Sequence, residues 1–563
     1  MHILKKYQTH IVLFCLMVFG FWLRFRLACA EDLATDEIAT LVTASQSFPE
    51  GIIKALVTKN FHAPLYYFLL HFWILLFGDS AISLRMVPVI FGTLCIPAAY
   101  ACGKELFSKF AGFSAAILVT INSFMISYSH FGKFYALLEL LGFLSVYLII
   151  KISKDPQKKY FAWLSAVNAC IIYTYVIGFV FVGMQFLVFA GYDFIRRKDN
   201  LRHWLRYACW MILLTMPIIP MMWMVIKNTQ NPILVKGFWW YEYESEHIIN
   251  VLMTWFSPAV PFIFANTEAV KVLPEIKWSL ILNVLPTALS GIIIYITARK
   301  RENIILRLLL LTAFGFIFCE WIAALSGRFA FMPRYTLLAF PVIILSAGAG
   351  IALFKKSVFS YSVLSVFFVL NIGYFLIFSN ISRPNNGILP LAELLTTLQF
   401  HKGDKIILPM RGYLINYFYN LKDIDLISFD LNYVFKTGDP QILSKMYGAQ
   451  DVDEEKATAQ QKFKRYLNSK EPTEAISNYF TQSILKDFNP DSRIVLANNC
   501  QRNFFAITDK NGNINNRAFF NAFCSKLTLD INSVLKQNSF RMVSNRYYPF
   551  GNILVYKLEK KSL

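Results

Sequence analysis

The sequence predicts a polytopic α-helical membrane protein with a soluble α/β domain at its C-terminal end. Hydrophobic residues make up 56% of the chain and charged residues only 16%, with a mean hydropathy of +0.46. Apolar runs near the roughly 18–20 residues needed to cross a bilayer recur through the first two-thirds of the chain. Past residue 380 the texture changes: a turn-rich linker, Ser382-Arg383-Pro384-Asn385-Asn386-Gly387, gives way to short strand-like runs. A transmembrane domain over residues 1–380 and an extracytoplasmic α/β domain over 381–563 are therefore expected.

Basic clusters set the topology. Lys5 and Lys6, Lys104 to Lys109, Lys151 to Lys159, Arg196 to Arg206, Arg299 to Arg307 and Lys355-Lys356 lie between apolar runs, where the positive-inside rule puts cytoplasmic loops. The net charge of +20 thus reports topology, and no basic, aromatic-interleaved domain argues for a nucleic-acid partner. About eleven spans follow, near 11–29, 85–102, 112–128, 136–152, 160–176, 178–195, 207–226, 278–297, 304–324, 336–353 and 358–378. The first is read as an uncleaved span, with Ala28-Cys29-Ala30 a weak cleavage candidate. The run 62–78 breaks the alternation. It is short, contains His71 and is rich in Tyr and Trp, so it reads as a helix lying along the outer membrane surface.

On the outer side this topology gathers a first loop from about residue 30 to 84, a turn around Ser129 to Tyr135, a loop from 227 to about 277, and a turn from Gly327-Arg328 to Arg334-Tyr335. In the C-terminal domain, Lys405 to Pro409, Asp425 to Phe429, Arg493 to Ala497 and Asn552 to Leu558 read as strands, with helix around 441–468. Cys500 and Cys524 are placed to pair if that domain is extracytoplasmic, which sequence leaves open.

The acidic pair Asp36-Glu37 follows the first span by only a few residues. It reads either as a solvated loop end or as a general base taking a proton from an acceptor hydroxyl. A low-dielectric boundary nearby is expected to raise such a carboxylate's pKa. The stretch His62-Ala63-Pro64-Leu65-Tyr66-Tyr67 opens the interfacial helix, with Pro64 ordinary at a first helical turn and His62 either a cap or a substrate contact. Lys133 with Tyr135, Arg328, and Arg334 with Tyr335 fall on the outer side against the charge bias. Snorkelling accounts for such residues, and so does a lipid-linked phosphate that they bind and stabilise as it departs. Phe238 to Glu244 interleaves aromatic and acidic residues, as interfacial anchors or sugar contacts. No Walker A loop, H-E-x-x-H, paired C-x-x-C or G-x-S-x-G elbow is present.

In this order the motifs resemble the GT-C class of integral membrane glycosyltransferases. The likeness is to the protein O-mannosyltransferase-like branch, with its lipid A aminoarabinose transferases and lipopolysaccharide-core sugar transferases. The residues that carry it are Asp36-Glu37, His62 to Tyr67, Phe77-Gly78 to Leu84-Arg85, Tyr128-Ser129-His130-Phe131-Gly132-Lys133-Phe134-Tyr135 and Pro333-Arg334-Tyr335. The resemblance covers residues 10 to 350 and implies transfer of a sugar from a polyprenyl-phosphate donor to a lipid, glycan or protein acceptor. It places the enzyme in a bacterial inner membrane, with site and C-terminal domain facing the periplasm. By the same resemblance Asp36 is the base and Glu37 supports the acceptor or a metal. Lys133 and Arg334 neutralise the phosphate with Arg328 nearby, Tyr135 and Tyr335 orient it, and His62, Tyr66 and His130 contact substrate. Lys133 stands where the family often has arginine, so bidentate geometry is lost there. The sequence requires no cofactor, and it admits a divalent cation at Asp36-Glu37 without demanding one. A flippase or a polysaccharide polymerase or ligase shares these substrates. Few mid-span charges beyond Glu139 and Glu320, and no internal repeat, weigh against a transporter.

Overall fold

Every expected span coincides with helix in the computed structural model of the chain. It describes residues 2–30, 33, 35–57, 62–196, 200–229, 254–256, 279–299, 304–325, 331–354, 358–380, 398, 400–401, 403–408, 425–428, 485, 488–498, 516–548 and 551–559. The contacts divide the chain into two units, residues 1–226 with 244–384 and residues 227–243 with 385–563.

The first unit begins with α1 (His2–Ala30), α2 (Thr35–Ala44), α3 (Glu50–Ala55) and α4 (Leu65–Phe77). It continues through α5 (Ala81–Leu106), α6 (Lys109–Ile121), α7 (Ser123–Ser129), α8 (Tyr135–Lys154), α9 (Lys158–Thr174) and α10 (Gly178–Arg196). Then come α11 (Leu201–Thr215), α12 (Ile219–Thr229), α13 (Ser279–Arg299), α14 (Ile304–Leu325), α15 (Phe340–Ala352) and α16 (Val358–Asn380). Among the described residues six helices are long and apolar enough to cross a membrane unaided, and α6 with α7, bent by 58°, makes a seventh if counted as one. Length and apolarity alone thus support fewer crossings than the eleven helical segments expected from sequence.

At about 1.5 Å per residue α4 extends only about 20 Å, short of the roughly 30 Å hydrocarbon core. Tyr66, Tyr67 and Leu70 pack inward, while Leu69, Phe72, Leu75, Leu76 and Phe77 remain exposed. One packed face and one bare apolar face suit a helix lying in the interface.

Small residues let the central helices approach closely. A Cβ on Gly112 would stand 2.6 Å from the Tyr100 carbonyl oxygen, and one on Gly103 would stand 2.9 Å from Gly112 Cα. Polar side chains fasten the next helices: Asn168 donates to Gln185 Oε1 (2.8 Å) and to Tyr207 OH (2.7 Å), and Ser145 donates to Asn168 Oδ1 (2.7 Å). Those bonds join α8, α9, α10 and α11. Arg24, buried in α1, donates to the Gly20 and Val119 carbonyl oxygens at 3.0 Å.

Helix alternation sorts the unit into two ends. Glu105 meets Lys151 at 3.4 Å and Lys154 at 3.7 Å where α5 and α8 finish. The opposite end collects the start of α8, the α9–α10 turn at Tyr175–Ile177 and the segment between α14 and α15.

Among the described residues the second unit contains a five-stranded sheet of β1 (Lys405–Leu408), β2 (Asp425–Ser428), β3 (Arg493–Asn498), β4 (Phe540–Tyr548) and β5 (Gly551–Leu558), in the order β2-β1-β3-β5-β4. β1 pairs parallel with β2 and β3, whereas β5 runs antiparallel to β3 and β4. Ile406, Ile407 and Ile494 to Ala497 are wholly buried, the continuous apolar pattern of strands covered on both faces. α17 (Asn516–Gln537) contributes Ile531, Val534 and Leu535 to the core, and Tyr556 OH donates to its Asn532 Oδ1 at 2.7 Å. β4 escaped the sequence reading because Arg541, Asn545 and Arg546 interrupt its apolar positions, as an edge strand permits. The helix expected around 441–468 lies outside the described residues, as do Cys500 and the Cys524 side chain.

Replacing Gly112 with valine should overpack the α5–α6 contact and destabilise the protein by about 1–3 kcal/mol. The control is Gly183→Val, where a Cβ meets nothing within 4 Å. Thermal melts in detergent monitored by size exclusion compare the two, and equal melting temperatures would contradict the packing argument.

Candidate active site

Asp36 and Glu37 occupy the first turn of α2, where negative charge complements the helix dipole. Consecutive helical residues point about 100° apart, so the two carboxylates separate. Glu37 is completely buried. Arg85, near the start of α5, donates from Nε to Glu37 Oε1 at 2.8 Å and from a terminal nitrogen to Oε2 at 2.7 Å. Its other terminal nitrogen donates to the Ala28 carbonyl oxygen at 3.0 Å. Glu37 Oε1 also accepts from the Gly132 amide at 2.7 Å. Only glycine lets that amide come so close, since a Cβ there would stand 2.8 Å from Leu84. Glu37 and Arg85 together thus tie α2, the end of α1, the start of α5 and the turn before α8 to one another. Both Glu37 oxygens, expected to support an acceptor or a metal, are engaged within the protein by Arg85 and the Gly132 amide.

The turn that Gly132 anchors presents Lys133. Its Nζ lies 3.5 Å from Asp36 Oδ2, with the Asp36 side chain 43% exposed. Lys133 holds the Asp36 carboxyl below its ordinary range against partial burial, and Arg334 and His62 add to the effect. The raised pKa expected from a low-dielectric boundary is therefore reversed by a charge that sequence spacing cannot place 97 residues away.

Arg334 approaches from a 3-10 turn at Pro333–Thr336. Trp255 secures that turn by donating to Thr336 Oγ1 (3.0 Å), while its own carbonyl accepts from Asn122 Nδ2 (2.7 Å). Arg334 donates to Tyr335 OH at 3.3 Å and is an electrostatic neighbour of Tyr135. Burial works against its charge, but Tyr135, Tyr335 and Asp36 more than compensate, and its pKa is raised. The Arg334 Nε is buried and has no hydrogen-bond partner among the described residues.

Aromatic rings wall the site. Tyr335 stacks on Tyr175 (centroids 6.2 Å apart), and Tyr175 stacks on Phe134 (5.6 Å). His62 meets Phe134 edge-on at 5.4 Å and lies parallel to Tyr67 at 6.2 Å. Tyr66 is buried edge-on against Tyr67 and Phe134. His130 is buried too, with Nδ1 2.9 Å from the Ile126 carbonyl oxygen one helical turn back. Arg328 and residues 238–244 lie outside the described residues.

Asp36, Lys133, Tyr135, Arg334, Tyr335 and His62 are thus brought together. Arg85, Tyr67, Trp255 and Tyr175 were missed as contributors. Arg85 and Tyr67 lie within the motifs quoted from sequence, whereas Tyr175 and Trp255 carry no local signal. Among the described residues, few donors are left for a divalent cation at Asp36-Glu37. Lys133 sits at Asp36 Oδ2, both Glu37 oxygens are taken, and among the described residues no three His, Cys, Asp or Glu side chains converge.

The profile of the dolichyl-phosphate-mannose-protein mannosyltransferase family matches residues 61–223. ArnT from Cupriavidus metallidurans superimposes on 98% of this chain over 98% of its own, at 12% identity and TM-score 0.56 when bound to undecaprenyl phosphate, and at 13% and 0.57 in the apo state. The chain has the GT-C fold. The Archaeoglobus fulgidus oligosaccharyltransferase in its apo form matches at 12% identity and TM-score 0.50, covering 99% of this chain and 75% of that one. No curated protein matches the chain significantly by sequence. Within the GT-C fold the cluster around Asp36 occupies the end of the bundle away from Glu105 and its lysines.

Glu37→Leu should leave the buried Arg85 guanidinium uncompensated and cost about 3–5 kcal/mol. The double variant Glu37→Leu/Arg85→Met should recover most of that loss. Melting curves of the wild type, both single variants and the double variant close the cycle, and strictly additive losses would refute coupling.

Proposed function

We propose that the protein is a membrane glycosyltransferase that moves a sugar from a polyprenyl-phosphate donor to an acceptor hydroxyl on the extracytoplasmic face of a bacterial inner membrane. The observation that carries the reading is the convergence of one ionised carboxylate, Asp36, with two cations, Lys133 and Arg334, from distant parts of the chain. Two fixed cations beside aromatic walls suit a phosphomonoester or diester that gains charge as it leaves. The basic clusters at the opposite end support the orientation.

In this reading Asp36 accepts the proton of the acceptor hydroxyl as its oxygen attacks the anomeric carbon. The bond from that carbon to the phosphate oxygen breaks, and the polyprenyl phosphate departs with the electron pair. Lys133 and Arg334 stabilise that oxyanion, and Tyr135 and Tyr335 donate to it or fix Arg334. Attack opposite the leaving group inverts the anomeric centre. One base suffices, unlike the carboxylate pairs of glycosidases. Arg334 Nε, buried and lacking a described partner, is a donor of the kind a bound phosphate would engage. Lipid A, lipopolysaccharide and other envelope glycans or proteins supply acceptors of the required chemistry.

Asp36→Asn should lower transfer from a radiolabelled polyprenyl-phosphate sugar in proteoliposomes by about 10²–10⁴-fold. Unimpaired transfer by a folded variant would remove Asp36 from the chemistry. Lys133→Met should also change the pH dependence. The wild-type carboxyl has a depressed pKa and stays ionised as pH falls through the ordinary carboxylate range. Without Lys133 its pKa rises, so the acid limb of the residual activity should move to higher pH, and an unmoved limb would contradict the coupling.

A further inference from the structure

Two buried polar groups near this cluster are used by nothing described so far. Glu320 lies in α14, five residues before the helix ends at Leu325. It is 7% exposed, and neither carboxyl oxygen has a hydrogen-bond partner among the described residues. Tyr175, at the α9–α10 turn, is likewise buried with an unpartnered hydroxyl. The two are electrostatic neighbours, and Tyr175 also feels Tyr335, Tyr135 and Arg334. Buried polar groups are ordinarily satisfied, and an ionisable side chain within a span is costly to keep without a role. Glu139 shows the contrast, because its buried carboxyl has the Arg24 guanidinium as an electrostatic partner. Glu320 has no such cation beside it among the described residues.

We propose that Tyr175 and Glu320 form the subsite that hydrogen-bonds hydroxyl groups of the donor sugar. The inference rests on the transferase reading above. A phosphate held by Lys133 and Arg334 leaves its sugar only one bond beyond the phosphate oxygen. The Tyr175 ring lies between Tyr335, the neighbour of Arg334, and Phe134, the neighbour of Lys133, which fixes where its hydroxyl oxygen sits. A tyrosine hydroxyl and a carboxyl together offer donors and acceptors for a sugar's hydroxyl groups, which act as both. Sites built this way discriminate strongly against analogues that lack the matching hydroxyl, because their own polar groups are then left unpaired.

The test uses the full-length protein in proteoliposomes with Glu320→Leu and Tyr175→Phe. The probes are undecaprenyl monophosphate for binding, and polyprenyl-phosphate hexose and pentose donors with their monodeoxy analogues for transfer. Removing an unpaired buried carboxyl should leave the melting temperature unchanged or raised. Monophosphate affinity should stay within about twofold, while donor KM rises about tenfold or more and discrimination against one deoxy analogue collapses. Unchanged KM and discrimination would overturn the subsite, as would a parallel loss of monophosphate affinity, which places the pair on the phosphate or lipid instead. If Glu320→Leu does not fold, Glu320→Gln decides by the same readouts. A wild type that neither binds the monophosphate nor uses any donor sinks the transferase reading and this inference together. A wild type that transfers as well as Glu320→Leu sinks the subsite alone.

Discussion

The arrangement around Asp36 depends on the buried pair between Glu37 and Arg85. Neither charge is worth burying for attraction alone, since desolvating two ions offsets much of their mutual energy. What the pair supplies is placement. Through one carboxylate and one guanidinium, the end of α1, the start of α5 and the turn before α8 are fixed to each other. Asp36 and Lys133 each sit one residue from an anchored neighbour, Glu37 and Gly132. Their 3.5 Å separation is inherited from that anchoring. An acidic dipeptide that reads as two equivalent carboxylates therefore divides its labour, one fastening the scaffold and the other facing the site.

Electrostatics at this end of the bundle runs opposite to the usual effect of burial. An isolated carboxylate near hydrocarbon resists ionisation, yet Asp36 is held charged by Lys133, Arg334 and His62. In return Asp36, together with Tyr135 and Tyr335, favours the charged form of Arg334 despite its desolvation. A carboxylate so stabilised is a weaker base than a raised one. Its use in proton transfer depends on what an incoming anion does to the two cations that now face it.

Much of the fold was legible because membrane helices obey a simple constraint: backbone groups must be satisfied within the segment, so apolar length alone marks them. The helices matched to the apolar runs and the strands at 405–408, 425–428, 493–498 and 551–558 follow from runs of residues that have no other place to go. Lys133, Arg334 and their tyrosines stand out in the sequence because cations against the expected charge bias ask for an anion, and their convergence near Asp36 is what the structure adds. Tyr175 was not readable, since its importance comes from stacking between Phe134 and Tyr335, residues far apart in the chain. Nor was the separation of Glu37 from Asp36, which needs Arg85 and the Gly132 amide to be in place. The sign of the Asp36 pKa shift was missed for the same reason: burial can be guessed locally, whereas a neighbouring charge is a tertiary fact.

Chain order gives the α2 anchor a further meaning during synthesis. Arg24 and its carbonyl partners, and Glu37 with Arg85 and Gly132, all lie within the first 135 residues. The Glu37 and Arg85 charges can be satisfied as soon as the early helices have inserted, whereas the anion nearest Arg24, Glu139, follows in α8. The 3-10 turn at Pro333–Thr336 emerges some two hundred residues later, and it is secured by Trp255, itself a late arrival. A chain halted before that turn carries Asp36 and Lys133 but not yet Arg334. In order of synthesis, Arg334 is therefore the last of the three basic side chains around Asp36 to arrive.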